Sequence, residues 1–331
     1  MHDRVRKLKQ SFTGKIKYKL YPYFTARSSC QANFRVKQSV LDQGYWILGM
    51  ENTVKRSDLR LDALHTYSPT IEVSGLAEYG LGLHDLNRDN DQDTIARFIL
   101  AHLQHAVDSD TGIEYSYWRY FIRPPKQDYF VSGMGQGLLL SFLCRFSLKR
   151  TWPELDEVIE RIANSFLIPF ESKNGFVKWL DRDSATIEEY PTDCSKAQVL
   201  NGWCCGVFGL FDYLNYHKAV SSNGSRLDEK QRLLESTLST LRRVLPKYDA
   251  GFWSLYNLPN AEEKIANVAS FHYHTVHIAL LEALWHMTGD DIYKAYAARF
   301  QYYSSRPFMR LRALFVKIVF SNVLKYGYLY R

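Results

Sequence analysis

The sequence predicts a mainly α protein built from antiparallel helix pairs with a few short β-hairpins. Three observations carry that prediction. Apolar residues recur at helical spacing through most of residues 71–326, short segments rich in turn residues separate them, and no run of about 18 apolar residues would span a membrane. Consecutive helices joined by short connections pack as antiparallel neighbours. Curved round, such pairs make an incomplete α/α toroid whose loops gather at one end around a cleft.

Each element follows from local pattern. Residues 71–86 place Leu76, Tyr79, Leu83 and Leu86 on one helical face, and Asp93 is positioned to cap the next helix, with its stripe of Ile95, Phe98, Ile99, Leu103 and Val107. Residues 108–112 read as a turn. Residues 114–122, rich in Tyr, Trp, Phe and Ile, read as one strand of a hairpin closed by Pro124-Pro125. Helices return over 133–150 and 154–168, and Asn174-Gly175 suits a turn between short strands. A helix near 197–217 carries Val199, Leu200, Trp203, Val207, Leu210, Phe211 and Leu214. After the loop at 221–225, helices are predicted over 227–245, 268–287, 290–304 and 308–326. The chain divides into a basic, irregular arm over 1–66, a helical body over 67–305 and a basic amphipathic helix over 306–331.

The 331 residues are 46% apolar and 23% charged, ordinary for a globular protein. Aromatics reach 15%, with 23 Tyr; their flat faces and hydroxyls suit sugar rings, although core packing accounts for most of them. The net charge of +7 is uneven. Residues 1–20 hold seven Lys/Arg against one Asp, and residues 299–331 hold seven with no acid, leaving the body mildly acidic. Two basic arms suit an anionic polymer, a membrane surface or a partner complex, and the bland alternative is a pair of solvated tails. The five cysteines are odd in number and contain no C-x-x-C pair, which excludes a regular disulfide framework or zinc site and fits a reducing compartment. No apolar core follows the basic start, so no signal peptide is expected, and the cytoplasmic side, peripheral to a membrane, is the expected location.

Four segments carry a family resemblance. They are Gly133-Met134-Gly135-Gln136-Gly137; Glu188-Glu189-Tyr190-Pro191-Thr192 with Val199-Leu200-Asn201-Gly202 and Gly209-Leu210-Phe211-Asp212; Leu245-Pro246-Lys247-Tyr248-Asp249-Ala250-Gly251 with Leu255-Tyr256-Asn257-Leu258; and Tyr273-His274-Thr275-Val276-His277-Ile278. In this order the chain, from about Tyr67 to Tyr303, resembles the C-terminal helical domain of the glucuronyl C5-epimerases, which convert glucuronate to iduronate in heparan-type chains. The resemblance implies Glu189, Tyr190, Tyr256 and Tyr273 as catalytic residues, and Gln136, Glu188, Asn201, His274 and His277 as substrate-binding ones. It implies no metal and no cofactor, a uronate-containing anionic polysaccharide as partner, and a setting such as capsule assembly. Nucleic acid is not an expected partner, and a homodimer is left open. Two departures stand out: Pro259-Asn260 and Ala269-Ser270-Phe271-His272 occupy stretches where the family carries basic residues. The family's animal members also have a β-rich region before the helical domain, where only 66 residues precede it here.

Those residue types fit the chemistry. C5 epimerisation removes a proton beside a carboxylate and returns one to the opposite face, which requires a base, an acid and neutralisation of the carboxylate. Tyr, with an ordinary pKa of about 10, is a base only where its surroundings favour phenolate, and is otherwise a serviceable acid. The same abstraction followed by loss of the C4 substituent would make the chain a polysaccharide lyase. A non-catalytic carbohydrate-binding subunit is the reading from another class. His274 and His277 lie three apart and would share a helix face, without an acid or Cys at metal-ligand spacing. The glycine-rich run lacks both the Lys-Ser/Thr ending of a phosphate loop and the spacing of a dinucleotide fingerprint. It allows close approach of backbone to a sugar or to a neighbouring helix.

Overall fold

The chain is described by a computed structural model over residues 23–25, 54, 59–66, 72–121, 128–150, 152–193, 196–220, 224–258 and 267–327. It is mainly helical with three short antiparallel strand pairs. The helices are α1 (Val73–Asp85), α2 (Asp89–His102), α3 (Gly133–Ser147), α4 (Leu155–Asn164), α5 (Leu200–Val220), α6 (Leu227–Val244), α7 (Phe271–Thr288), α8 (Asp291–Ser305) and α9 (Pro307–Gly327). The strands are β1 (Gln104–Val107), β2 (Glu114–Tyr117), β3 (Tyr120–Phe121), β4 (Tyr129–Phe130), β5 (Val177–Asp181) and β6 (Ser184–Ile187), paired β1–β2, β3–β4 and β5–β6.

Sequence character separates two helix layers. In α3, α5 and α7 nearly every side chain in the first three turns is buried, so these helices are apolar all round. They pack in succession, α1 on α3, α3 on α5 and α5 on α7. Helices α2, α4, α6 and α8 are amphipathic, and each packs beside its odd-numbered neighbour. The closest approach is α3 against α5. A Cβ on Gly137 would lie 2.2 Å from the Cys205 carbonyl oxygen, and one on Gly209 would lie 2.5 Å from the Gly137 Cα. Within the glycine-rich start of α3, Gly137 makes the contact with α5, whereas Gly133 lies against Ile187 and the Glu188 carbonyl and Gly135 against the Tyr120 ring. Side chains set three helix starts: Ser132 accepts from the Gly135 N–H, Ser270 from the Tyr273 N–H and Asp290 from the Ile292 N–H.

The strands depart most from expectation. Val107 belongs to β1 and is exposed, not on the α2 stripe. The turn explains it: Asp108 Oδ1 accepts from the N–H and hydroxyl of Thr111, and Gly112 takes a φ of 68°, which closes a hairpin that pulls 104–107 out of helix. Residues 114–121 split between two partners, β2 on β1 and β3 on β4. Asn174-Gly175 precedes β5, and the turn between β5 and β6 falls at Arg182-Asp183. Most of the 1–66 arm lies outside the described residues. Within it, Leu61–Thr66 forms a 3-10 helix and Tyr23 is buried in the core.

Candidate functional site

Three segments converge to build the site. The first follows β6, where Glu188 extends the hairpin edge by donating its N–H to the Phe176 carbonyl and accepting from the Gly133 N–H. Glu189 then turns inward against the start of α5. A Cβ on Gly202 would lie 2.5 Å from the Glu189 carboxylate, so only glycine leaves room for it. The second segment is the loop after α6, where Tyr256 is held on both sides: its carbonyl accepts from the Leu200 N–H, and its own N–H donates to the Asn267 carbonyl. The third is the first turn of α7, where the Ser270 cap sets the position of Tyr273.

A clamp of histidines fixes the second segment to the third. His274 Nδ1 lies 2.8 Å and His277 Nδ1 2.9 Å from the Ser254 hydroxyl, two residues before Tyr256. His274 Nε2 bonds the Phe300 carbonyl at 2.9 Å, and its ring stacks on Trp253 with centroids 3.7 Å apart. Both rings are fully buried, and burial pushes His274 down to about 3 and His277 well below its ordinary value. Neutral and turned inward, they set the spacing of Tyr256 and Tyr273 from behind.

Side-chain hydrogen bonds link Glu189 to Tyr190, Tyr190 to Tyr256 and Tyr256 to Tyr273. Each bond's effect on its partners gives its sense: Tyr256 donates to Tyr190, and Tyr190 donates to the Glu189 carboxylate. The Tyr256 and Tyr273 rings meet edge to face, with centroids 4.9 Å apart. Asn201 donates from Nδ2 to Glu189 Oε2 at 3.2 Å. Burial pushes the Glu189 carboxyl up to about 7, against the lowering effect of the Tyr190 and Asn201 hydrogen bonds and of Lys196. All three tyrosines are raised, first by burial, with the Glu189 charge as a further cause. They are phenols at neutral pH, and Glu189 is the group of the four poised to exchange a proton there.

The other expected binding residues lie apart from this chain. The Gln136 amide is buried, accepting from the Trp118 N–H and donating to the Ser116 carbonyl and the Ser165 hydroxyl, so it ties β2 to α3. The Glu188 carboxylate accepts from the Thr186 hydroxyl and the Gln198 N–H, closing the strap between β6 and α5. Two groups not singled out from sequence join the site. Lys196 holds its ammonium 4.7 Å over the Tyr190 ring while pairing with Asp193 at 3.1 Å. Glu78 on α1 is half-buried, raised to about 7 by burial, and within electrostatic range of Tyr273 and Cys205. Glu78 is the one half-buried residue among otherwise buried neighbours between 76 and 83, which only the fold reveals.

With the geometry in place, comparison with known proteins decides the family. The model of the D-glucuronyl C5-epimerase C-terminus matches residues 110–302, more than half of the sequence. The chain belongs to this family. Similar proteins include a D-glucuronyl C5-epimerase of Caenorhabditis elegans, 29% identical over 138 residues, covering 40% of this chain and 22% of that protein. Another is the uncharacterized protein MJ1128 of Methanocaldococcus jannaschii, 28% identical over 136 residues, covering 40% of this chain and 39% of its own length. The matched segments thus span well under half of either relative. The hydrogen-bonded chain and the clamp lie wholly inside the family match; Glu78 lies outside it.

Proposed function

We propose that this chain is a uronate C5-epimerase acting on a glucuronate-containing poly- or oligosaccharide, with its helix pairs curved into an incomplete toroid around the cleft. The observation that carries the reading is the hydrogen-bonded series from Glu189 through Tyr190 and Tyr256 to Tyr273, inside a segment that belongs to a C5-epimerase family. Glu189 takes the C5 proton, and the electron pair left behind is delocalised into the substrate carboxylate. Tyr273 gives its proton to the opposite face. The site then holds a protonated Glu189 and a Tyr273 phenolate. Release of the Glu189 proton to solvent and uptake of a solvent proton by Tyr273 restore the starting state, so the hydrogen delivered to C5 in later turnovers comes from solvent. Lys196 supplies positive charge as the substrate carboxylate gains electron density. Glu189 is preferred to a tyrosine as base because it titrates near neutrality while the phenols are raised.

The test is proton NMR of unsulfated heparosan incubated with the protein in deuterated water. Loss of the C5 proton signal with new iduronate resonances is the expected result. Olefinic signals would instead assign lyase chemistry. No exchange on heparosan or on other uronate polymers would overturn the catalytic reading in favour of a carbohydrate-binding subunit.

A further inference from the structure

Helix α9 packs Met309, Ala313, Leu314 and Val316 against the core and keeps a second apolar face outward. Its inward face carries cations: Arg310 is buried and donates to the carbonyls of Tyr23 and Ser304, and Lys317 donates to the Asn267 side chain and the Val268 carbonyl. Its outward face is apolar. Phe308 is 76% exposed, Phe315 67%, and Leu311 and Ile318 nearly half. Positions 308, 311, 315 and 318 make one stripe at helical spacing. Arg306 and Arg312, both exposed, flank it.

The N-terminal segment arrives at the same place. The Tyr23 carbonyl accepts from Arg310 Nε at 2.8 Å, its hydroxyl accepts from the Phe271 N–H at 3.0 Å, and the side chain is buried against Trp253 and Phe271. The next residue, Phe24, is 60% exposed. In the sequence, residues 1–20 hold seven Lys/Arg against one Asp. The C-terminal part of the sequence is equally basic, with no acid after Asp291.

We propose that the outward face of α9, with Phe24 and the flanking Arg306 and Arg312, docks on an anionic lipid surface. The combination selects the occupant. Exposed Phe, Leu and Ile gain by entering the headgroup–acyl boundary, the aliphatic Leu311 and Ile318 have no flat face to stack on a sugar, and the flanking Arg306 and Arg312 add attraction to anionic headgroups. No helix among the described residues is long and apolar enough to cross a membrane, so α9 lies on the surface. Phe271, which grips Tyr23, is two residues from Tyr273, so docking would hold the tyrosine site close to the lipid. The inference does not depend on the epimerase reading.

Flotation of the full-length protein with vesicles tests it. Comigration with mixed phosphatidylcholine–phosphatidylglycerol vesicles is expected, with loss on pure phosphatidylcholine and in high salt. A double variant, Phe308→Ser with Phe315→Ser, should partition about tenfold less or weaker still. Circular dichroism should show an unchanged fold for that variant. Three outcomes would overturn the proposal: wild-type protein that does not float, a folded double variant that binds as well as wild type, or Phe-dependent retention on immobilised heparosan without vesicle binding. The last would assign the face to the polymer.

Discussion

Two glutamates of this fold, Glu160 half-buried and Glu189 buried, have opposite electrostatics. Glu160, on α4, meets Lys230, whose ammonium is fully buried and donates to Oε1 at 2.6 Å, together with Tyr213, Ser225 and His217. Burial pushes its carboxyl up, but hydrogen bonding with His217 and the charge and hydrogen bond of Lys230 more than offset this and hold it well below the ordinary range. Glu189 is more deeply buried, yet hydroxyl and amide donors do most of the opposing work, and its carboxyl is raised to about 7. The difference shows what converts a buried acid from structure to chemistry. A buried cation in contact fixes the charge, while a line of phenols leaves the proton free to move.

The sharpest way to break this comparison is to neutralise each acid in turn. Glu189→Gln should lower C5 exchange by about a thousandfold, the range of a lost general base, while leaving the helical fold intact. Glu160→Gln should leave exchange within a few-fold of wild type and destabilise the protein by about 3 kcal/mol, because the buried Lys230 ammonium loses its counter-charge. Exchange assays and thermal unfolding on both variants decide it. A Glu160→Gln variant that is stable but inactive would collapse the distinction.

The helices and the four central site residues were legible in the sequence for different reasons. Periodicity locates the described helices within a few residues except α2, which begins at Asp89 with Asp93 inside it and ends five residues before Val107, because a buried face imposes a 3.6-residue repeat whatever its partner but does not mark its ends. Strands of two to five residues carry no comparable repeat, so in the sequence β1 looks like the end of α2 and Asn174-Gly175 like the β5–β6 turn, which falls at Arg182-Asp183. Glu189, Tyr190, Tyr256 and Tyr273 stood out by family resemblance, and the structure brings them into one hydrogen-bonded series. Their neighbours in the same motifs behave differently. Gln136, Glu188, His274 and His277 share those motifs because the scaffold needs them, and only the bonds to Ser116, Gln198 and Ser254 reveal that. Glu78 and Lys196 lie outside every motif and reach the site by tertiary packing alone.

The two acids also predict opposite responses of stability to pH. The Glu189 carboxyl rises from the ordinary 4.5 to about 7 on folding. Between these values the unfolded chain has released the proton that the folded protein still holds, so stability falls as pH rises through this window, by at most about 3 kcal/mol. Above it the full cost remains. Glu160 is depressed in the fold, so its contribution is present above the unfolded value and is lost as pH falls. Thermal unfolding of wild type and Glu189→Gln should therefore agree near pH 5 and separate by pH 8, with the variant the more stable. A constant gap across that range would show that Glu189 is not raised.

The smallest expected effect is the one that assigns the base. Glu78 and Glu189 are both raised to about 7, so an acid limb near that pH in the rate of C5 exchange does not by itself say which carboxyl is titrating. Substitution separates them. Glu78 is in electrostatic range of Tyr273 but outside the hydrogen-bonded series, so Glu78→Gln should change exchange by no more than about threefold and leave the limb in place. It should also lower the Tyr273 phenol slightly, because the Glu78 charge is one of the causes that raise it. Loss of the limb in Glu78→Gln, with its retention in Glu189→Gln, would move the base to α1. The reaction would then depend on a carboxyl outside the segment that the family model matches, and the Glu189 series would be left to position Tyr256 and Tyr273.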